Sequence, residues 1–489
     1  MKNKRTNLLY IILFCLPFIL GFIGNYSSGN SLLNSLYGAL CVYVMELQIQ
    51  PENALSEIAR WTAPLMTASG VFIAFQKIRR SLANHIKGKN PNSVAIYGDS
   101  HYISTLIEKL GKLGIQGGMD DLSGGIDKAG RYVILYENEQ EGLAFYEQHK
   151  NDFHQSMVYL CLETITPQSL QDPNLSIFNL KENTARMYWN TYDLIDAFST
   201  NQLNLKIGII GFDTIGQNIL TYGLLNNIYS PNQRIEYHVW GNSEEYKNTN
   251  QCLEELKPDQ VIFHEQAWSI DLDLINSLDR LILCNESSEN LEHLSKLLTY
   301  STCKNIHVYD YLNQTLQSLF SREGVEFFGA ADEIVNVEQI FQESMLADAK
   351  AFNHYYAKKY QNCPDTEEAK EEAFRSLDSF TRYSNIASAD YQKIREKMLA
   401  ILKRSDESLT DAVIRNKDFL AELEHIRWCR YHYLNNWKYG VPSDGKAKDA
   451  SHKIHTNLIP FHELSEEDKS KDLAAIYTMF GIEMEESDC

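Results

Sequence analysis

Apolar positions are distributed along this chain in three distinct ways. From Leu8 to Ile23 they run almost without interruption around Pro17, and with Gly24 the run approaches the shortest helix that crosses a bilayer. A second apolar stretch, Ile58 to Ile78, ends in Lys77, Arg79, Arg80, Lys87 and Lys89, while Lys2, Lys4 and Arg5 precede the first. Cations outside both ends of such a pair predict two spans, about 8–24 and 58–78, with both termini in the cytoplasm. A basic leader before an apolar run also fits a cleaved signal peptide, and the paired charge pattern favours the anchor. Between the two, residues 32–45 are apolar but too short for a span, which suits a re-entrant or interfacial helix.

Beyond residue 92 the pattern changes to short buried runs alternating with amphipathic segments. Ser93–Gly98 reads as a strand entering a tight turn, followed by a helix through Ile103, Leu106, Ile107, Leu110 and Leu113, with further strands at 132–136 and 158–162. The same alternation restarts at Leu205–Ile210 and continues with strands at 235–240, 261–264, 280–284 and 306–309. Two α/β lobes with parallel sheets are therefore expected, at 92–200 and 204–330. From Asn336 to Tyr360 the spacing of Ile340, Phe341, Phe352 and Tyr356 predicts a helix, which with the polar, exposed 361–375 makes a helical connector over 336–375, and the remainder, 376–480, reads as a mainly helical domain.

Charge sharpens this division. The net charge is -20 with a pI near 5.2, which excludes a nucleic-acid surface built on clustered Lys and Arg. Yet the first ninety residues are net positive, so the acidity belongs to the lobes and the C-terminal part. The nine cysteines are scattered without a Cys-x-x-Cys pair, as expected of reduced thiols in a cytosolic body, and neither they nor His452 and His455 have the spacing of a metal site. The apolar hairpin has the outline of a two-span pore loop, but Glu46–Glu52 stands where a potassium filter would place its glycines. Glu46 and Glu52 are either cation-attracting rings in a homo-oligomer or ordinary charges at the membrane lipid surface.

The second lobe opens with Gly211-Phe212-Asp213-Thr214-Ile215-Gly216 between a strand and a helix expected to begin near Gln217. That context belongs to a dinucleotide fingerprint, and Gly211, Asp213, Thr214, Ile215 and Gly216 are its cofactor-binding candidates for NAD or another nucleotide. Its middle glycine, which lets a pyrophosphate approach the backbone, is replaced by Asp213, whose carboxylate repels that group. The ribose-binding acid is also missing, since Trp240-Gly241-Asn242 occupies its place, and the first lobe keeps only Gly98 in Gly98-Asp99-Ser100-His101. Two such lobes behind a membrane segment resemble the TrkA-N or RCK type of cytosolic nucleotide-sensing domain, at the level of the fold over about 92–330. The alternative is a scaffold lobe that no longer binds nucleotide.

The C-terminal part carries the densest chemistry. Arg382-Tyr383-Ser384-Asn385, then Glu424-His425-Ile426-Arg427-Trp428-Cys429-Arg430, then Trp437-Lys438-Tyr439-Gly440, then His455 to Phe461 follow in order. These blocks resemble the RyR domain, the repeat first named for ryanodine receptors and also found in bacterial multidomain proteins. On a helix Glu424, Arg427 and Trp428 share one edge, and an indole beside a guanidinium suits a flat anionic ligand. The ligand-binding candidates are Arg382, Ser384, Asn385, Glu424, His425, Arg427, Trp428, Trp437, Tyr439 and His455. The alternative for the same residues is a core of aromatic rings with a local ion pair. No nucleophile or metal set surrounds His425, so no catalytic residue is assigned.

The parts together predict an inner-membrane anchored sensor, with its soluble domains cytoplasmic. A nucleotide-like or phosphorylated small molecule would bind its Rossmann-like or RyR-like module and change the packing of an oligomer, as a ligand-gated channel or membrane effector. A membrane-anchored NAD- or nucleotide-dependent enzyme and a non-catalytic scaffold are the alternatives.

Overall fold

The computed structural model describes residues 2–44, 53–117, 125–153, 155–164, 172, 174–311, 320, 323–335, 337–341 and 346–482, with the side chains of 2–14, 44, 69–75, 77, 78, 338, 339 and 360 outside that description. The chain divides into two units, Met1–Pro91 with Met119–Ala129 and Asn92–Gly118 with Gly130–Cys489.

Three helices build the first unit: α1 (Lys2–Ser27), α2 (Leu32–Cys41) and α3 (Ala54–Lys87). Asn53 starts α3 by accepting from Leu55 N and Ser56 N, and its amide donates to Gly24 O (2.6 Å) and Ser28 Oγ (2.8 Å), tying the end of α1 to the start of α3. The helices meet through small residues. Ala39, Ala59 and Ala63 are fully buried, and a Cβ added to Gly24 would lie 2.4 Å from Ser56 Oγ. Large apolar side chains such as Leu33, Trp61 and Leu65 face outward.

The expected two-span membrane hairpin is corrected here: among the described residues no helix is long and apolar enough to cross a membrane. In α3 the apolar sequence is interrupted by Glu57, Arg60, Thr62 and Thr67, which dilute the hydropathy a bilayer-spanning helix needs. Residues 8–14 of the first expected span, most of 69–78 in the second, and Glu46 and Glu52 lie outside the described side chains. The short apolar segment forms α2 and a 3-10 turn over Val42–Val44.

In the second unit two parallel sheets carry the α/β pattern. The first runs β2–β1–β3–β4–β5, with β1 Val94–Gly98, β2 Gly114–Gln116, β3 Arg131–Leu135, β4 Met157–Cys161 and β5 Leu175–Phe178. Its helices include α4 (Ile103–Leu110), α5 (Glu139–His149) and α6 (Leu180–Thr191). The second sheet runs β11–β10–β9–β6–β7–β8. It comprises β6 Asn204–Ile210, β7 Arg234–Trp240, β8 Gln260–His264, β9 Arg280–Leu283, β10 Ile306–Tyr309 and β11 Val325–Phe328. Its helices include α7 (Thr214–Asn226) and α8 (Ser287–Tyr300). Strands covered on both faces need apolar residues at every position, which is why Val94–Tyr97 and Ile207–Ile210 are runs without polar alternation.

Helices α6 and α7 pack against each other. Trp189 on α6 is completely buried, donates Nε1–H to Ile219 O (2.8 Å), and lies against Gly223, where a Cβ would come within 2.9 Å of the indole. One apolar core therefore runs through both lobes and on to Tyr391, Ile394, Met398, Leu423 and Tyr431 of the C-terminal part. That part holds α9 (Ala347–Gln361), α10 (Glu367–Arg375), α11 (Ser379–Leu402), α12 (Lys417–Leu434) and α13 (Glu466–Met479). A small sheet, β12 (Lys438–Tyr439), β14 (Ile454–His455) and β13 (Lys448–Asp449), joins α12 to α13. The continuous helix expected over 336–360 is instead Val337–Phe341 and α9, with 342–345 outside the described residues.

Candidate functional site

Parallel sheets present ligand sites beyond the carboxyl ends of their strands, at the point where the strand order reverses. In the first sheet that point lies between β1 and β3, and in the second between β6 and β9. Both open onto one cavity of about 200 Å³. Ser100, His101 and Tyr102 reach it from the end of β1, Leu135, Tyr136 and Glu137 from β3, and Cys161 and Glu163 from β4. The second lobe contributes Asp213, Thr214 and Ile215 after β6, Cys284, Asn285 and Glu286 after β9, and Tyr309 and Tyr311 at β10. Leu180 and Lys181 enter it from the first turn of α6.

The fingerprint turn explains itself residue by residue. Gly211 adopts φ +92, and a Cβ there would stand 2.0 Å from Asn285 Oδ1; one on Gly216 would stand 2.2 Å from the Gly211 carbonyl. Both glycines are thus demanded by packing of the turn on its own protein. Asp213, at the position whose glycine serves the ligand, precedes α7 without capping it, and its carboxylate is exposed on the cavity. Glu286 stands in the same relation to α8.

Charges around the cavity are mostly paired. His101 uses N–H and Nδ1 on Glu137 Oε1, at 2.9 and 2.6 Å. Burial would raise the Glu137 carboxyl, but the bonds from His101 outweigh it and hold it below its ordinary value. Glu139 accepts from Thr164 N (2.9 Å) and Thr164 Oγ1 (2.7 Å). Lys181 meets Glu163 at 3.0 Å, and although burial pulls the ammonium down, Glu163, with Asp213 and Glu286 further off, raises it. Tyr309 and Tyr102 are buried beside one another and Tyr311 packs on His101, ring centroids 5.1 Å apart, giving the cavity aromatic walls. Burial pushes the thiols of Cys161 and Cys284 up, so both stay protonated and unreactive.

The C-terminal candidates separate into different places. Glu424 and Arg427 are buried together: Glu424 accepts from Arg427 Nε (3.0 Å) and Nη2 (2.7 Å), Arg395 Nη1 (2.5 Å) and Ser388 Oγ (3.0 Å). Burial would raise the Glu424 carboxyl, but the two guanidiniums bring it down to about 2. Trp428 turns to the other side of α12, into a layer of rings. Its centroid lies 3.9 Å from His432 and 5.0 Å from His455, while Trp437 stacks on Phe380 at 5.3 Å. His425 closes that layer with Nδ1 on Asp472 (3.2 Å) and Nε2 on Ile459 O (2.8 Å). Burial lowers the imidazole, but the bonds to Asp472 and Cys429 carry it up to about 11. Arg382 Nη2 donates to the carbonyls of Arg375 and Leu377 at the end of α10, Asn385 reaches Asn353 on α9 (3.4 Å), Ser384 is half-buried on α11, and Tyr439 is exposed on β12.

The cavity's own residues outside the fingerprint, among them His101, Glu137, Glu163, Lys181 and Glu286, were not among the candidates read from sequence. Their signal was positional: most follow within a few residues of a buried parallel strand, where the strand-end rule places ligand contacts. Among the described residues no cluster of His, Cys, Asp and Glu could hold a metal ion.

Comparison with known proteins bears on one region. Neither a curated protein nor a solved structure matches the chain, so the likeness to TrkA-N or RCK domains gains no support there. Residues 403–482, which hold α12, the β12–β14 sheet and α13, match the model of the RyR domain.

Proposed function

We propose that this protein is a non-catalytic sensor of a nucleotide-type small molecule, with the ligand in the cavity between the two α/β lobes and the RyR domain as the element that responds. One observation carries the reading: the reversal points of two separate parallel sheets open onto the same cavity. Two lobes gripping one ligand supply a reason for the duplication, because closing them changes the surroundings of every helix that begins at the cavity. The RyR domain supports the sensing role through its position, since α12 packs on α7, whose first turn lines the cavity.

Thermal denaturation of the full chain with a panel of nucleosides and nucleotides tests this directly. A member present at a hundredfold excess over its Kd is expected to stabilise the protein by about 2.7 kcal/mol. Thr214→Tyr, which fills the cavity from a half-buried position in the first turn of α7, is expected to abolish the shift. A panel that stabilises neither form, together with no small molecule released on denaturing the purified chain, would refute the reading.

A further inference from the structure

The cavity's electrostatics narrow its ligand further, an inference that rests on the sensor reading above. Helices α4, α5, α6, α7 and α8 all begin at or beside the cavity, and free helix N-termini ordinarily attract phosphate. At three of those ends the chain has placed carboxylates of its own. Asp213 precedes α7, Glu286 precedes α8, and Glu139 is the first residue of α5. Glu137 and Glu163 complete the set, against one lysine, Lys181, which already lies 3.0 Å from Glu163, and His101, which is bound to Glu137. A pyrophosphate entering would meet Asp213 where the fingerprint turn needs a bare backbone, and among the described lining residues no unpaired cation would receive it.

The remaining surfaces suit a different chemistry. Tyr102, Tyr309 and Tyr311 offer ring faces and hydroxyls, and Asp213 and Glu286 are exposed acceptors for hydroxyl or amino hydrogens. We propose that the cavity binds a nucleoside, neutral or cationic at its 5′ side, and selects against nucleoside diphosphates and dinucleotides. Asp213 and Glu286 act as the specificity residues: they accept hydrogen bonds from the sugar or base and repel phosphate.

Isothermal titration of the full chain with adenosine, guanosine, cytidine and uridine, each paired with its 5′-diphosphate, tests the selection. The wild-type chain is expected to bind at least one nucleoside roughly tenfold or more tighter than its diphosphate, a difference of about 1.4 kcal/mol. The isosteric pair Asp213→Asn with Glu286→Gln removes both charges at exposed positions, so the fold is retained and is checked by its melting curve. In that variant the diphosphate is expected to gain about tenfold as the repulsion is removed, while the nucleoside weakens because its charged acceptors become neutral amides, so that the preference for the nucleoside is lost. A wild-type chain that binds a diphosphate as tightly as its nucleoside, or a ratio unmoved by the double substitution, overturns the selection and leaves the cavity reading standing. If neither class binds, both readings fall together.

Discussion

Glu424 illustrates how far a single side chain can depart from what its neighbours in sequence suggest. Helical spacing places it beside Arg427, and the two do pair, but the partners that complete its shell, Arg395 and Ser388, come from α11. No local pattern links residues 29 and 36 positions apart, so helical spacing shows the Glu424–Arg427 pair but not the buried network that completes it. Removing one member of a buried ion pair leaves the others uncompensated, which costs about 3–5 kcal/mol. Glu424→Gln should therefore lower the unfolding free energy in urea by that order, because Arg395 and Arg427 are both almost fully buried. A loss under about 1 kcal/mol would mean that the network contributes little. The carboxyl, held at about 2 against its ordinary 4.5, contributes stability that is fully present above pH 4.5 and is lost as pH falls toward 2.

At the scale of elements, the RyR segment is held by a helix, a small sheet and a second helix whose shared layer is unusually rich in imidazoles. His425 ties α12 to α13 through Asp472, whereas His432 and His455 pack as neutral rings against Trp428. Burial, first of all, lowers His432 to about 3 and His455 to about 4. Their contribution is complete above pH 6.5 and declines as pH falls below it, since the unfolded chain then takes up protons that the folded one refuses. His425 has the opposite sign: held up to about 11, it stabilises fully below pH 6.5 and progressively less as pH rises toward 11. Asp472, raised by burial despite the imidazolium beside it, likewise favours the lower pH. Stability of this segment should peak near pH 6.5, with each group contributing at most about 1.4 kcal/mol per pH unit on its side of the peak. His425→Gln should flatten the alkaline limb in urea melts at pH 6.5, 7.5 and 8.5; an unchanged limb would exclude the His425–Asp472 tie as its source. The elements themselves were largely legible. Buried strands announced themselves as apolar runs, but β2, β5 and β11 are three or four residues long and, unlike the equally short β9 and β10, are only partly buried, so they leave no apolar run to read. The apolar N-terminal runs misled in the other direction, because length of hydrophobic sequence was weighed without the Arg60, Thr62 and Thr67 that interrupt the second of them.

Across the second unit as a whole, two helices connect the cavity to α11 and α12, the second of which lies within the residues that match the RyR domain. Helix α6 starts at the cavity with Leu180 and Lys181, and less than two turns later Arg186 makes a buried bidentate pair with Asp390 of α11, at 2.5 and 2.8 Å. Helix α7 also starts there, and near its far end the Leu224 carbonyl accepts from Arg430 of α12 (3.0 Å), whose other nitrogen meets buried Asp259 at 2.6 Å. Helices move as rigid elements, so a shift of either first turn on ligand binding must displace these pairs or carry α11 and α12 along. Such coupling is worth about 1–3 kcal/mol where it exists, and deleting a link in it should remove part of the response without unfolding the protein. Replacing Arg186 and Asp390 together by Met and Leu keeps the volume apolar and leaves stability nearly unchanged, because a buried ion pair gives little net stabilisation over hydrophobic packing. Hydrogen exchange over residues 403–482 should slow when a cavity ligand is added to the wild-type chain, and respond at least about threefold less in the double variant, while exchange at the start of α6 and α7 still slows in both. If the RyR segment responds equally in the two proteins, the Arg186–Asp390 pair carries no signal, and Arg430 with its two partners on the α7 side becomes the remaining route.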